Sequence, residues 1–511
     1  MKKLVLVVVD AMHPGVLRKA IDSGAAPTFG ALAERADLIE DMVSSFPSVT
    51  PVCCSEMLTG VGPGKHGVMG MNWFHRLERR YIEYGSSFEA TRTFGLFRAM
   101  YDLVYNMNLE HLSWEAETVF ERLGDAGVRT AGTPFLIYRG RRRHKLGLEG
   151  LAKRAAAAAN FRHAVWGPDE FFYGDLYASR PTGCGPSFTR PGARDEYSAC
   201  VGEELVREGA YDFMLFSLPD NDFHSHRFGP GETTDSIAKA DASFARIVEA
   251  GGGIDAFLKD HAVILTADHA QSDVEHGLPL ADSLSKDWQV LQPNEDRPED
   301  AEIAVSPTSR AGAVYLLNPG EGHAKAHGRV RTKLRDMDGV DLVAWLAASD
   351  GTPVSRDGVG LDLAADPDLR AVVARNGHEL SFRPGGPLRD ERGARWMAEG
   401  EPEALDADVT SGWFADAEYP DGLSRLWSAL TAPHAGDVMI SATEGHECID
   451  WGGVSHAGGG SHGGLNREDS LAPLLMVGCG PKDPGKRKWS LRDVSPVVLE
   501  HFGVGRKRGF G

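Results

Sequence analysis

The sequence predicts an α/β fold: a mostly parallel central sheet with helices on both faces, interrupted by an inserted cap subdomain. Three observations predict it. Short apolar runs recur along the chain, each followed by turn residues and a helical pattern, as strands buried on both faces of a parallel sheet require. Amphipathic helical stretches lie between the runs. One long segment richer in Pro, Asp and Arg breaks the alternation.

In chain order, the runs are Leu4 to Val9, Val128 to Thr133, Phe213 to Leu218, Ala262 to Thr266, Val438 to Ser441 and Leu471 to Val477. A helix follows the third, where Ile237, Ala240, Phe244, Ile247 and Val248 share one face and Gly251 to Gly253 stop it. Another runs through Val494, Val497, Val498 and Phe502 before Gly503. The alanine run Ala155 to Ala159 reads as helix, because alanine is the best helix former. Residues 1–280 and 410–511 are expected to form one discontinuous catalytic unit, with irregular insertions at about 86–112 and 135–195. Residues 281–409 form the expected cap, with a strand at Ala313 to Leu317 and a helix at Pro367 to Asn376.

Composition narrows the function. The chain has 511 residues, 42% of them apolar and 25% charged, which excludes a disordered tail, a fibre or a disulfide-stapled miniprotein. Its 54 basic against 73 acidic residues give a net charge of −19, the wrong sign for a nucleic-acid-binding surface. An anionic substrate would need local positive charge to offset that field. The six cysteines are scattered, with no zinc-ribbon spacing, and point to a reducing, cytoplasmic setting. The apolar run after Met1-Lys2-Lys3 ends at Asp10, too short for a signal peptide, and no stretch is long enough for a membrane span.

The chemistry sits where the strands end. Leu4 to Val9 ends in Asp10, Phe213 to Leu218 leads to Asp220, Asp222, His224 and His226, and Ala262 to Thr266 leads to Asp268-His269. A glycine-rich loop, Gly458 to Gly464, can bring His462 to the same edge. In an open α/β sheet this edge is the ligand crevice. Aspartates and histidines together suit zinc or manganese rather than an all-oxygen calcium or magnesium cage. Thr50 before Pro51 reads as a helix cap, which sets its hydroxyl in the positive field of a helix N-terminus. Coordination to a metal would make it a nucleophile.

On these residues the chain resembles the alkaline phosphatase superfamily and, within it, the type I phosphodiesterase/nucleotide pyrophosphatase branch. The resemblance rests on Asp10, the stretch from Phe46 to Gly70, Asp222 to Pro230, Thr266 to His269 and Ser461 to Gly463, in that order. It implies two divalent metals, for which the donor types favour zinc, with manganese as the alternative. One would be held by Asp222, His226 and His462, the other by Asp10, Thr50, Asp268 and His269. It also implies in-line attack by Thr50 on phosphorus, a covalent phospho-threonine, and hydrolysis from the opposite side. The partner implied is a small phosphorylated substrate. Two positions depart from the family pattern. Pro51 stands where nucleotide-cleaving members commonly carry a base-stacking aromatic, and Asn72, the phosphate-binding candidate, lies one residue out of register before Trp73.

The expected activity is hydrolysis of phosphodiester or pyrophosphate bonds. The alternatives are a phosphonoacetate-type hydrolase, a phosphomonoesterase, and a non-catalytic metal- or ligand-binding protein on the same scaffold. His224, His276, His446 and His456 read as supporting or surface histidines, His66 as structural, and Cys53 and Cys54 as packing residues. The basic run Arg139 to Lys145 reads as a solvated loop, with a rim that recognises a second anionic group of the substrate as the alternative, and Arg76 to Arg80 as a solvated face.

Overall fold

The computed structural model describes residues 1–147, 161, 163–174, 176–185, 193–295, 297–318, 320–356, 363–449, 451 and 455–505. Its central sheet has eight strands. At the middle, Lys3–Val9 runs parallel to Phe213–Leu218 on one side and to His261–Thr266 on the other. Thr130–Gly132 and Glu170–Tyr173 extend the sheet in parallel beyond Phe213–Leu218. The last of the strands in sequence, Leu471–Val477, is antiparallel and lies between His261–Thr266 and Ile39–Val43. The sheet is therefore mixed but mostly parallel.

The three middle strands read as continuous apolar runs because they are covered on both faces; Leu4 to Val9 are fully or almost fully buried. Removing each such side chain from water contributes roughly 1.5–3 kcal/mol. The helix Thr234–Ala250 covers one face through Ile237, Ala240, Phe244, Ile247 and Val248, the residues its spacing predicts. Val494–His501 is the expected late helix.

A separate nine-stranded sheet is built from strands between Ile303 and Ala442. Its adjacent strands are mostly antiparallel. Val438–Ala442 belongs here, between Ala311–Leu316 and Val340–Ala348, and not to the central sheet. Among the described residues, no helix is long and apolar enough to cross a membrane.

Several expectations are corrected. The helix expected at Pro367 to Asn376 is a strand, Leu369–Arg375, paired with His378–Asp390. The turn decides it: Asn376 and Gly377 both have positive φ, the geometry of a tight hairpin that Asn-Gly adopts readily. The region at 86–112 is helical rather than irregular, with helices Phe88–Phe94 and Leu96–Tyr101 leading into a π-helical segment, Asp102–His111. Its wider turn shifts the apolar residues off the ordinary helical period. The alanine run Ala155 to Ala159 lies outside the described residues.

The basic runs are not simply solvated. Arg139 is fully buried; it pairs with Glu121 at 3.0 Å and donates to the carbonyls of Leu112, Ser113 and Ala116. Arg141 bridges Glu117, Glu121 and Asp125. Arg76 pairs with buried Asp437, and Arg80 grips Asp102 with two bonds of 2.7 and 2.9 Å. Cys184 and Cys200 form a disulfide, so cysteine usage no longer supports a reducing compartment.

Candidate metal centre

Thr50 opens the helix Thr50–Thr59, which follows extended Val49. The sequence reading made Thr50 the cap and Pro51 the first helical residue; each stands one position further in. The Thr50 hydroxyl is thus not spent on capping. Its Oγ1 lies 3.2 Å from His269 Nε2.

His269 stands where two groups of donors meet. Asp10, Asp268 and His269 offer atoms within 4.8 Å of one another, and so do Asp222, His269 and His462. In the first group, His269 Nε2 is 3.7 Å from Asp10 Oδ1 and 3.5 Å from Asp268 Oδ2. In the second, His462 Nε2 is 3.9 Å from Asp222 Oδ1, and the His269 and His462 rings stack at 3.9 Å. His226 approaches from the edge, with Nε2 3.4 Å from Asp222 Oδ1. The grouping implied by resemblance is modified in one respect: His269 faces both donor sets.

The fold delivers most of these donors from a strand end or a helix start. Asp10 follows the middle strand, Asp268-His269 follows its neighbour, and Asp222 with His226 projects from the helix Asp220–Phe228 one turn apart. His462 comes on the glycine-rich loop. A Cβ at Gly459 would lie 2.1 Å from the His226 carbonyl oxygen, so only glycine lets this loop approach the helix. Gly463 has φ +113°, a left-handed conformation that side chains disfavour.

The supporting bonds all prepare the same ring atoms. Nδ1 of His226 is 2.8 Å from the Gly460 carbonyl, that of His462 is 2.8 Å from the Ser48 carbonyl, and that of His269 is 3.0 Å from the Ala270 carbonyl. Carbonyls only accept, so each Nδ1 carries the proton and each Nε2 presents a lone pair, the tautomer a metal requires. Gln271 Nε2 donates to Asp222 Oδ1 at 2.6 Å, and Asn221 Nδ2 donates to the Asp10 carbonyl at 2.9 Å. The backbone N–H groups of Ala11 and His269 both donate to Asp268 Oδ1. Ser48 Oγ donates to the Gly464 carbonyl and accepts from the Gly463 N–H.

Electrostatics favour a cation here. Burial, then the carboxylates of Asp268 and Asp222, push the Asp10 carboxyl well above the usual carboxylate range. Arg194 acts in the opposite direction; its guanidinium is stacked 4.1 Å above the Phe223 ring. Burial, then the rings of His269 and His226, hold His462 far below the ordinary imidazole value. Burial likewise lowers His226. Asp10 Oδ1 is buried without a hydrogen-bond partner. Crowded carboxylates, neutral imidazoles and an unsatisfied oxygen are what two divalent ions would relieve, so the donor set fits the group.

Asn72 does not join this cluster through any hydrogen bond or ion pair among the described residues. Its Nδ2 donates to the Pro307 carbonyl at 2.5 Å, and it lines a small pocket with Trp73, Ser306 and Thr308. His456 bonds buried Glu447 at 2.8 Å, and its ring lies 4.2 Å from that of His226, a supporting position as expected. His66 is fully buried and accepts the Val68 N–H, a structural role. The sequence reading missed Gln271, Asn221 and Ser48. Their signal was adjacency, since each lies within two residues of a predicted ligand or nucleophile.

A parallel-rich sheet with paired Asp/His donors at its strand ends defines an alkaline-phosphatase-like fold. The family described as type I phosphodiesterase / nucleotide pyrophosphatase matches residues 4–346, and the chain belongs to that family. Phosphonoacetate hydrolase from Sinorhizobium meliloti 1021, in complex with phosphonoformate, is similar in structure with a TM-score of 0.56 at 16% identity, covering 98% of this chain and 96% of that one. Human ectonucleotide pyrophosphatase / phosphodiesterase 5 is similar with a TM-score of 0.57 at 13% identity, covering 100% of this chain and 97% of that one. At such identities the two structures speak for the fold alone. No curated protein sequence matches the chain significantly.

Proposed function

We propose that this family hydrolase cleaves phosphodiester or pyrophosphate bonds of small phosphorylated molecules through a phospho-threonine on Thr50. Two divalent ions, zinc or alternatively manganese, would be held, one by Asp222, His226 and His462 and the other by Asp10, Thr50, Asp268 and His269. The observation that carries this reading is the Thr50 hydroxyl, 3.2 Å from Nε2 of His269, the residue common to both donor groups.

When bound, such ions lower the pKa of a coordinated hydroxyl and neutralise phosphoryl oxygens, which is most of the catalytic task in phosphoryl transfer. The chain's own groups do the rest. The helix N-terminus sets Thr50 in a positive field. Gln271, Asn221 and the three carbonyls that accept from histidine Nδ1 fix the donors before substrate arrives, which reduces reorganisation during reaction. A second reading, phosphonate hydrolysis, draws on Pro51, which stands directly after the nucleophile where a base-stacking aromatic would be expected for a nucleotide.

Turnover of bis-p-nitrophenyl phosphate tests the proposal. It should be abolished by chelator and fall at least a thousandfold in Thr50→Ala. Undiminished turnover in Thr50→Ala would exclude the mechanism, and no turnover by the wild type of any monoester, diester or phosphonate would favour the non-catalytic alternative. Comparison with p-nitrophenyl phosphate and phosphonoacetate ranks the substrate classes.

A further inference from the structure

We propose that His75, Glu78 and His111 form a third metal site, separate from the paired donors around Asp222 and Asp10, which takes a single borderline divalent ion such as zinc. The three residues offer donor atoms within 4.8 Å of one another. His75 ends the strand Asn72–His75, Glu78 lies in the turn that follows, and His111 ends the π-helical segment Asp102–His111. His75 Nε2 is 3.7 Å from Glu78 Oε1.

His111 supplies the independent observation. It is 5% exposed, and its Nδ1 lies 2.6 Å from the Tyr84 hydroxyl. Its Nε2 is buried and has no hydrogen-bond partner. Buried polar atoms normally have one, and a ligand atom awaiting an ion is a physical reason for the exception. The Tyr84 hydroxyl can donate to Nδ1 or accept from it; in the tautomer where Nδ1–H donates, Nε2 presents a lone pair and a second partner orients a metal-binding ring.

The surroundings agree. Trp73 packs against both rings, with centroids 5.4 Å from His75 and 5.2 Å from His111, and walls off one side. Arg80 is engaged by both Asp102 and Glu78, a triad with one net negative charge. Glu78 is exposed, which gives an ion a way in. Two imidazoles and one carboxylate match the donor types of zinc sites that leave a fourth position open.

One bond opposes the ion. The Glu78 N–H donates to His75 Nδ1 at 3.1 Å, which places the ring proton on Nε2. Coordination at Nε2 requires that proton to leave and this turn bond to be given up, so the affinity should fall below that of the paired site and weaken as pH drops. His434, whose ring lies 4.1 Å from that of His75, accepts the Arg76 N–H at Nδ1 and acts as a packing neighbour.

The test is zinc titration of the chelator-stripped full-length protein, with bound metal counted after dialysis. His75→Ala and His111→Ala should each lose one equivalent per chain, and Glu78→Gln should weaken that equivalent by at least tenfold. The loss should add to that caused by Asp222→Ala. Glu78 is exposed, so Glu78→Gln decides the matter even where a buried-histidine variant fails to fold. Identical stoichiometry and affinity in wild type and Glu78→Gln overturn the third site. An equivalent lost in His75→Ala but none in Asp222→Ala upholds it while the metal centre proposed above fails.

Discussion

Asp222 accepts from Gln271 through the same oxygen that lies nearest His226 and His462. A side chain so placed gathers two histidines, and its removal leaves them without a shared carboxylate. Asp222→Ala should therefore lower bound metal by one equivalent per chain, measured by elemental analysis; wild-type occupancy would refute the ligand assignment. His66 permits a residue-scale prediction about pH. Burial lowers its imidazole from the ordinary 6.5 to about 3 in the folded chain. The unfolded chain thus binds the proton first as pH falls, so the stability contributed by neutral His66 is complete above pH 6.5 and declines towards pH 3. Between pH 6.5 and 5 the decline is on the order of 2 kcal/mol. His66→Gln should flatten the pH dependence of the denaturation midpoint over that window, and an unchanged slope would contradict the assignment.

At the scale of elements, the His462 loop is held by the second sheet. Arg310 lies in the turn between Ile303–Thr308 and Ala311–Leu316; its N–H donates to the His462 carbonyl at 2.7 Å, and its guanidinium pairs with Asp469 at 2.9 Å, both side chains fully buried. Asp469 also accepts from Ser272 Oγ and from the Gly464 N–H. Arg310→Met would leave a buried carboxylate without its cation, a cost of about 3–5 kcal/mol. We expect a drop in stability of that order, seen in urea unfolding, together with weaker metal binding as the loop loosens. A variant as stable as the wild type would show the pair to be dispensable.

The same scale shows what the sequence could disclose. Asp10, Asp222 and Asp268-His269 were legible because each follows an apolar run that could only be a buried strand, and a polar group there faces the crevice. Arg310 and Asp469 were not legible, since they belong to different elements and meet only when the two sheets dock. The strand Leu369–Arg375 was misread as helix because its run of apolar residues fits either period, although Asn376-Gly377 was the available turn signal. Arg139 looked solvated because charge normally is; its burial depends on Glu121 and three distant carbonyls.

For the whole molecule, the Cys184–Cys200 bond bears on where the chain can work. It closes a loop with a sequence separation of 16, for which chain entropy alone contributes about 3 kcal/mol. Peptide mapping without reductant should recover the linked pair, and reductant should lower stability by about that amount; two free thiols in the native protein would contradict the linkage.

The position of Leu471–Val477 has a last consequence, for how the chain is made. It occupies a slot between Ile39–Val43 and His261–Thr266, strands synthesised hundreds of residues earlier. Until this strand emerges from the ribosome, a growing chain carries an open gap with two unpaired edges, the kind of surface that invites association with other polypeptides. His462 arrives just before the strand that fills that gap, so a copy stopped before it would lack both the keystone of its sheet and one of the proposed metal donors.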